Sequence, residues 1–386
     1  MAEIFCLNPI SQVGMKLLPK SCQVTKQVQN AEAILVRSAQ MHDMEMPQSL
    51  LCIARAGAGV NNIPLNDCAQ NGIVVFNTPG ANANGVKELV IAGMLLASRD
   101  ILGGVHWVEE NKQDHAIAKI TEKAKKAFAG TEVKGKKLGV IGLGAIGVLV
   151  ANAAHDLGMD VYGCDPYLSI QNAVRLSRYI NIVKDKDEIF HQCDYITIHV
   201  PALDSTKGMI CKESIEKMKD GVIILNFARD MLVNDKDMAE ALNGGKVRKY
   251  VTDFPNQAVV NMPNTIVFPH LGASTEESED NCAVMAVNQV VDYLENGNIT
   301  NSVNYPSCTL GKRSSAARIC LAHYNRPNVI GKLTALFGES NINISHMVSK
   351  SRGNFAYAMF DVESPVSHDF EEKVADMENI IKVRVI

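Results

Sequence analysis

Residues 137–147 read Lys-Leu-Gly-Val-Ile-Gly-Leu-Gly-Ala-Ile-Gly, and this stretch decides the fold of the middle of the chain. Its first five residues are typical of a buried strand, and the spacing of the glycines that follow is that of a dinucleotide-binding turn. Gly142 permits a tight turn, Gly144 lets the backbone approach a pyrophosphate, and Gly147 allows a helix to pack closely on the strand. The stretch therefore predicts a strand, a phosphate-binding turn and a helix.

An acidic residue follows the next predicted strand. The apolar run Met159–Cys164 ends on Asp165, whose carboxylate can accept hydrogen bonds from both adenosine ribose hydroxyls. The same carboxylate would repel the extra phosphate of NADP, and Pro166-Tyr167 supplies no arginine to offset that repulsion. We therefore predict NAD as the cofactor, because glycines that served packing alone would leave Asp165 unexplained.

Apolar runs alternate with helical patterns along most of the chain. Runs that are apolar on both faces are typical of parallel sheets covered by helices. After Cys164 the predicted strands are Tyr195–Val200, Val222–Asn226, Tyr250–Asp253 and Thr265–Phe268. In residues 1–95 the predicted elements are the strands Ala33–Val36, Leu51–Ala54 and Ile73–Phe76 and the helix Val86–Ser98. Both regions are therefore predicted to be α/β.

The C-terminal region has a different order of elements. Residues 296–315 have a linker composition and follow a long predicted helix, Glu277–Glu295. Beyond them the sequence predicts strand, helix, two hairpin strands, helix and strand, at Arg318–Ala322, Val329–Ser340, Met347–Ser351, Phe355–Asp361, His368–Met377 and Ile380–Ile386. This βαββαβ order predicts a ferredoxin-like domain.

Composition argues against several classes of function. The formal net charge of −4 at pH 7 gives no reason to expect a nucleic-acid partner. No apolar run reaches the ~18 residues that a membrane span needs, and Met1–Asn8 has no signal-like pattern, so we expect a cytoplasmic protein with no membrane partner. The ten cysteines have no zinc-like spacing, which indicates reduced thiols and no metal site.

Two polar residues follow strands of the middle region. Arg229 comes after Val222–Asn226, and His270 comes after Thr265–Phe268. Both are expected at the carboxyl ends of parallel strands, where open α/β sheets bind ligands. A guanidinium can hold a carboxylate with two hydrogen bonds, and an imidazole can exchange a proton near neutral pH. Either residue alone could be structural, but the pair predicts hydride transfer on a hydroxy acid.

These segments together resemble the D-2-hydroxyacid dehydrogenase family. The most specific matches are Arg37-Ser38, the segment Ala56-Gly57-Ala58-Gly59-Val60-Asn61-Asn62, Val140–Gly147, His199-Val200-Pro201, Asn226–Arg229 and Pro269–Ser274. In that family a Rossmann-like nucleotide domain is inserted into a flavodoxin-like substrate domain. The resemblance implies a discontinuous substrate domain at 1–95 and 275–305, an NAD-binding domain at 96–274 and a regulatory domain at 312–386.

The resemblance also implies the site residues. His270 would exchange a proton with the substrate oxygen, and Arg229 would hold the α-carboxylate. The implied cofactor-binding residues are Gly142, Gly144, Ile146, Gly147, Asp165, Pro201, Phe227, Ala228, Arg229, Asp253, His270, Leu271, Gly272 and Ala273. The implied substrate-binding residues are Arg37, Arg55, Gly59, Val60, Arg229 and His270.

The chain departs from the family pattern near the catalytic histidine. The family pairs that histidine with a carboxylate in a segment of the type Asp-Val-Phe-Pro-x-Glu, whereas this chain reads Asp253-Phe254-Pro255-Asn256-Gln257. Gln257 is thus the third expected catalytic residue, since its amide can orient the ring although it cannot stabilise an imidazolium by charge. Asp230, where Gly is common, is a second departure and could either weaken the positive field around Arg229 or point away from it.

Within the family, the resemblance is greatest to members that oxidise 3-phosphoglycerate to 3-phosphohydroxypyruvate at the start of L-serine biosynthesis. Arg37 and Arg55 would then bind the phosphorylated acid. The last residues resemble an ACT domain, in which His323, Asn325 and Asn343 would bind L-serine as a feedback inhibitor. Because ACT domains pair across subunits, the resemblance implies a homodimer or homotetramer.

Two other functions stay open at this stage. One is a dehydrogenase of an unphosphorylated D-2-hydroxy acid, such as glycerate or lactate, against which Arg37 and the C-terminal domain argue. The other is a non-catalytic NAD-sensing binding protein. Gln257 favours that second alternative, whereas Arg229 and His270 disfavour it.

Overall fold

The computed structural model describes all 386 residues, and they divide into two compact units. The first unit comprises Met1–Asn82 and Glu276–Ile386, and the second comprises Ala83–Thr275. The middle of the chain is therefore inserted into a unit that is built from both ends.

Residues 1–82 form a five-stranded parallel sheet in the order β2-β1-β3-β4-β5, which is the flavodoxin-like order. Its elements are β1 (Ala2–Cys6), α1 (Gln12–Met15), β2 (Cys22–Thr25), β3 (Ala33–Val36), β4 (Cys52–Arg55), α2 (Leu65–Gln70) and β5 (Val74–Phe76). Neither β1 nor β2 is among the predicted strands; β1 buries only Ile4 and β2 buries no residue. The apolar runs do predict β3, β4 and β5.

Residues 83–275 form a seven-stranded parallel sheet in the order β12-β11-β10-β9-β6-β7-β8. Its elements are α3 (Ala83–Ser98), α4 (Ile101–Glu110), α5 (Ile117–Ala124), β6 (Lys137–Ile141), α6 (Ala145–Asp156), β7 (Asp160–Cys164), α7 (Ile170–Arg175), β8 (Asn181–Ile182), α8 (Lys186–Gln192), β9 (Tyr195–Ile198), α9 (Lys212–Glu216), β10 (Val222–Asn226), α10 (Asp235–Asn243), β11 (Val247–Thr252) and β12 (Thr265–Val267). This order confirms the predicted Rossmann-like fold.

The boundary between the units lies at residue 82, whereas the sequence places it at residue 95. Helix α3 buries Val86, Val90 and Met94 in the core of the second unit. A Cβ atom at Gly93 would lie only 3.0 Å from side-chain atoms of Phe227 and Val251. Periodicity shows that α3 has an apolar face, but it does not show which sheet covers that face.

No single helix is long and apolar enough to cross a membrane. Only α3 and α4 taken together reach that length and composition, and they are bent by 71° at their junction.

Residues 276–386 end the chain with an antiparallel sheet in the order β14-β15-β13-β16. The elements are α11 (Glu276–Asn296), β13 (Ala317–Tyr324), α12 (Val329–Glu339), β14 (Ile344–Arg352), β15 (Phe355–Val362), α13 (His368–Ala375) and β16 (Ile380–Val385). The βαββαβ order and this strand order confirm the predicted ferredoxin-like architecture.

The antiparallel sheet buries residues on both faces. On one face Leu321 and Phe360 pack with Phe337 of α12. On the other face Tyr357 packs near Tyr293 of α11, with 6.4 Å between ring centroids. Residues 312–386, predicted as a separate domain, therefore share a core with the rest of the first unit.

A buried ion pair joins this sheet to the end of α11. Arg318 is fully buried, and its Nε and Nη2 atoms donate to Asp361 at 2.6 and 2.8 Å. Its Nη1 atom donates to the carbonyl oxygens of Asn296 and Gly311. Burial raises the pKa of Asp361, but the hydrogen bonds and charge of Arg318 outweigh burial and hold that pKa below its usual value.

Arg318→Met should lower the free energy of unfolding by about 3–5 kcal/mol, because it leaves the buried carboxylate of Asp361 without a cationic partner. Urea unfolding at pH 7 measures this loss, with the exposed neighbour Glu363→Gln as the control. The pKa of Asp361 is lower in the folded protein than in the unfolded chain. The carboxylate therefore stabilises the fold fully at any pH above its unfolded pKa, and this stabilisation is lost as the pH falls through the folded pKa. Asp361→Asn should therefore flatten the acid limb of the stability profile. A loss of less than about 1 kcal/mol in Arg318→Met would show that the Arg318–Asp361 ion pair contributes little to stability.

Candidate active site

The glycine turn after β6 is shaped by contacts that exclude side chains. Gly142 has a φ of 93°, and a Cβ atom there would lie 2.6 Å from the carbonyl oxygen of His199. A Cβ atom at Gly147 would lie 1.9 Å from the carbonyl oxygen of Gly142. Packing therefore requires glycine at both positions, as the fingerprint predicts.

Gly144 differs from the other two glycines, since nothing lies within 4 Å of where its Cβ atom would be. It is the N-cap of α6, and no side chain caps the free N–H groups of that helix. Open space in front of an uncapped helix N-terminus fits a phosphate group. The glycine turn thus has the shape that a dinucleotide requires.

Asp165 follows β7 and braces the same turn. Its Oδ2 atom accepts a hydrogen bond from the N–H of Leu143 at 2.8 Å, and its Oδ1 atom accepts one from the N–H of Tyr167 at 2.8 Å. The side chain stays partly exposed, and a carboxylate has lone pairs for further donors. Asp165 can therefore support the turn and still accept ribose hydroxyls.

Arg229 follows β10 in a turn that the buried side chain of Asn226 organises. The Nδ2 atom of Asn226 donates to the carbonyl of Arg229 at 2.8 Å, and its Oδ1 atom accepts from the N–H of Ala228 at 3.2 Å. The Arg229 guanidinium is exposed, donates to the carbonyl oxygen of Ala228 and has no carboxylate partner. Asp230 accepts instead from the N–H of Met231 and forms no ion pair with Arg229.

His270 lies in a loop that a buried carboxylate holds. Asp253, only 2% exposed, accepts hydrogen bonds from the N–H groups of Leu271 and Gly272, both at 2.8 Å. His270 has a φ of 58°, in the left-handed region. Its ring is exposed and contacts the Phe254 ring edge-on, with 5.1 Å between centroids. An exposed imidazole at a strand end can exchange protons with a small molecule.

Gln257 is not hydrogen-bonded to the ring of His270, contrary to what the sequence led us to expect. Its side chain is exposed and makes no hydrogen bond to His270. The backbone turns at Asn256, whose Oδ1 atom accepts from the N–H groups of Ala258 and Val259. This turn leaves Phe254 as the ring neighbour of His270, and the expected hydrogen bond of Gln257 to the imidazole is not found.

His199 is the other histidine at this edge, and burial suits it to a structural role. Its Nε2 atom lies 2.9 Å from Oγ1 of Thr197, and its Nδ1 atom is buried without a partner. Burial lowers the pKa of His199 to about 3, so the ring is neutral at physiological pH. His270 is therefore the better acid–base candidate.

The other residues expected to line the cofactor differ in how far they are buried. Phe227 directs its ring into the core, where it packs with Phe268 at 5.9 Å between centroids, so only its backbone is available. Four remain at least partly exposed, namely Ile146, Pro201, Ala228 and Ala273. Leu271 is 45% exposed and Gly272 is buried.

The first unit holds Arg37 at the end of β3. The Oδ1 atom of Asn8 accepts hydrogen bonds from the N–H groups of Arg37, Ser38 and Ala39, all within 3.1 Å. Arg55 donates from Nε to the carbonyl oxygen of Arg37 at 2.9 Å. Sequence reasoning missed Asn8 because β1, the strand before it, is not among the predicted strands.

The loop after β4 offers two free backbone donors. Asn77 donates to the carbonyl oxygen of Ala58, and Thr78 donates its N–H to that of Gly57. The N–H groups of Gly59 and Val60 make no hydrogen bond within the chain. A fixed loop with two adjacent free N–H groups can bind a carboxylate.

The residues expected to bind serine do not meet within one chain. His323 is 3% exposed, and its Nε2 atom has no partner, while its Nδ1 atom lies 2.9 Å from the carbonyl of Tyr324. Burial lowers the pKa of His323, so the ring is neutral. Asn325 donates to the carbonyl oxygen of Gly353, and Asn343 is exposed before the start of β14.

The register puts these residues at opposite ends of the sheet. His323 pairs with Ala356, which pairs in turn with Ser351 near the end of β14. Asn343 precedes the first residue of β14, so it lies roughly 25 Å from that point along the strand direction.

Comparison with known proteins agrees with this geometry. Residues 91–272 match the family described as D-isomer specific 2-hydroxyacid dehydrogenase, NAD binding domain. D-3-phosphoglycerate dehydrogenase of Haemophilus influenzae is 32% identical over 354 residues, which cover 89% of this chain and 83% of that protein. The Archaeoglobus fulgidus protein of the same name is 37% identical over 295 residues, covering 74% of this chain and 54% of that protein.

A solved structure shows the same fold. It is NAD⁺-bound 3-phosphoglycerate dehydrogenase of Entamoeba histolytica, with a TM-score of 0.62 and 28% identity, covering 78% of this chain and 98% of that one. The chain therefore belongs to the D-isomer specific 2-hydroxyacid dehydrogenases, a family of NAD-dependent oxidoreductases.

Proposed function

We propose that this dehydrogenase oxidises D-3-phosphoglycerate to 3-phosphohydroxypyruvate with NAD, the first step of L-serine biosynthesis. The observation that carries the proposal is the pair of exposed side chains at one edge of the NAD-binding sheet, the unpaired guanidinium of Arg229 and the imidazole of His270. The names of the relatives from Haemophilus and Archaeoglobus support this choice of substrate.

In this proposal each residue has a distinct task. His270 accepts the proton of the substrate hydroxyl, and Arg229 binds the α-carboxylate through two hydrogen bonds. NAD supplies the hydride chemistry. The residues proposed to hold it are Gly142, Gly144, Ile146, Gly147, Asp165, Pro201, Phe227, Ala228, Arg229, Asp253, His270, Leu271, Gly272 and Ala273.

The first unit would bind the charged groups of the substrate. The free N–H groups of Gly59 and Val60 suit the carboxylate, and the guanidinium groups of Arg37 and Arg55 suit a phosphate. An unphosphorylated acid such as glycerate or lactate would need no such cations. Arg37 therefore favours the phosphorylated substrate over those alternatives.

We further propose that residues 312–386 are an ACT domain that binds L-serine between two copies of the chain. β14 is an edge strand of nine residues, most of them exposed. Antiparallel pairing of β14 with the same strand of a second copy would bring Asn343 of one chain toward His323 and Asn325 of the other. Serine binding thus requires a homodimer or homotetramer.

Other features support an oligomer in the cytoplasm. Helix α4 exposes four large apolar side chains, Ile101, Leu102, Val105 and Val108, each at least 39% exposed. Lys125 and Lys126 follow on the same exposed segment and would approach a partner subunit. All ten cysteines are free, which suits a reducing compartment.

Steady-state assays of NADH oxidation should show the highest kcat/KM with 3-phosphohydroxypyruvate, ahead of hydroxypyruvate and pyruvate. Arg229→Gln and His270→Asn should each lower kcat/KM by about 10²–10⁴-fold, because one loses the carboxylate clamp and the other the acid–base group. Arg248→Gln, an exposed arginine of β11, is the matched control and should leave the rate unchanged. Preference for pyruvate would contradict the substrate, and NAD binding without turnover would favour an NAD-sensing protein.

Gln257→Glu tests whether a carboxylate at this position can influence the imidazole. A glutamate that reached the ring would raise the pKa of His270 and shift the pH profile of kcat/KM upward. Because the Gln257 side chain is exposed and makes no hydrogen bond to the ring, we expect the profile to stay where it is in the wild type. An upward shift would show that the segment rearranges when substrate and cofactor bind.

L-Serine at millimolar concentration should inhibit the enzyme, whereas D-serine should not. His323→Ala and Asn343→Ala should each raise the serine concentration for half-inhibition about tenfold or more, as expected for the loss of one or two hydrogen bonds. Activity titrations and calorimetry measure both quantities. Flat activity curves together with no heat of binding would overturn the regulatory role.

A further inference from the structure

The guanidinium of Arg37 has an acidic partner inside the chain. Its Nη2 atom is hydrogen-bonded to Oε1 of Glu279, which lies in the first turn of α11. The two side chains are 44% and 42% exposed. The cation that suits a phosphate is therefore occupied by a carboxylate that water can reach.

Both partners are attached to a rigid frame. The backbone of Arg37 is held by Asn8 and by the side chain of Arg55. The start of α11 is held by a hydrogen bond from Ser11 to Asp280. Helices α1 and α11 also approach closely, since a Cβ atom at Gly14 would lie 2.6 Å from the carbonyl carbon of Ala283. The backbones that carry Arg37 and Glu279 are thus anchored, which keeps the two side chains within reach of each other.

We propose that Glu279 sets the affinity and selectivity of the Arg37 site for anionic substrate groups. Its carboxylate occupies one side of the guanidinium fork, so a phosphate must displace it or bind beside it. A second anion near a phosphate dianion also repels it directly. The residue thereby weakens phosphate binding and limits how strongly a phosphorylated acid is preferred over its unphosphorylated analogue. As far as it concerns the substrate, this inference rests on the proposed function.

The charge of Glu279 can be removed without removing its shape. Glu279→Gln keeps a side-chain oxygen that accepts a hydrogen bond from Arg37, so the arginine should keep its orientation. The matched control is Glu277→Gln, because Glu277 lies in the same helical turn, is exposed and forms no ion pair. Both variants remove one negative charge from the N-terminal turn of α11, and only one removes it from Arg37.

We expect Glu279→Gln to lower the KM for 3-phosphohydroxypyruvate about three- to tenfold, with kcat unchanged. The KM for hydroxypyruvate should change less than about twofold, because that acid carries no phosphate. Inorganic phosphate, used as a competitive inhibitor of hydroxypyruvate reduction, should inhibit the variant at a correspondingly lower concentration. Glu277→Gln should behave like the wild type in all three measurements.

A KM for the phosphorylated substrate that is unchanged or higher in Glu279→Gln would overturn the proposal, provided that thermal melting shows the variant to be folded. An equal effect in Glu277→Gln would overturn it too, because the cause would then be the helix terminus and not the ion pair. If the wild type reduces hydroxypyruvate but not its phosphorylated analogue, the proposed substrate is wrong. Inhibition by inorganic phosphate then still tests Glu279, so the two failures can be told apart.

Discussion

The hydrogen bonds accepted by the buried carboxylate of Asp253 are the interaction on which the loop that carries His270 depends. The carboxylate accepts hydrogen bonds from two consecutive N–H groups, those of Leu271 and Gly272. Those hydrogen bonds hold the loop in which His270 has a left-handed backbone, a conformation that costs free energy unless the surroundings support it. The loop exposes the imidazole to solvent beside the Phe254 ring. The same hydrogen bonds spare the N–H groups of Leu271 and Gly272 the cost of burial without an acceptor.

The same solution recurs at other strand ends. Asp165 accepts from the N–H groups of the glycine turn and of Tyr167, and Asn8 accepts from three consecutive N–H groups after β3. Each of these loops would otherwise leave backbone donors unpaired at the carboxyl end of a parallel sheet. Short acidic and amide side chains thus shape the loops that carry the candidate site residues.

Three arginines differ in what they can bind because their surroundings differ. Arg229 has no ion pair and is available to an incoming carboxylate. Arg37 is half-exposed and shared with Glu279, so its charge is partly neutralised but still exchangeable. Arg318 is fully buried and committed to Asp361, where it joins the antiparallel sheet to the end of α11. The net charge of −4 does not show which arginine is available to an anion, because that depends on the partners of each arginine.

The sequence by itself determined the parallel sheet around the glycine turn, the βαββαβ order of the C-terminal region and the positions of Arg229 and His270 after their strands. Those features depend on short stretches of sequence, because hydrophobic periodicity, glycine spacing and the ends of strands can be recognised from neighbouring residues. Only the tertiary structure decided which sheet covers α3, that Gln257 makes no hydrogen bond to His270, and that Glu279 pairs with Arg37. Each of these depends on residues far apart in the chain, and on a turn or helix position that neighbouring residues do not specify. The register of the antiparallel sheet belongs to the same class, since it alone separates His323 from Asn343 within one chain.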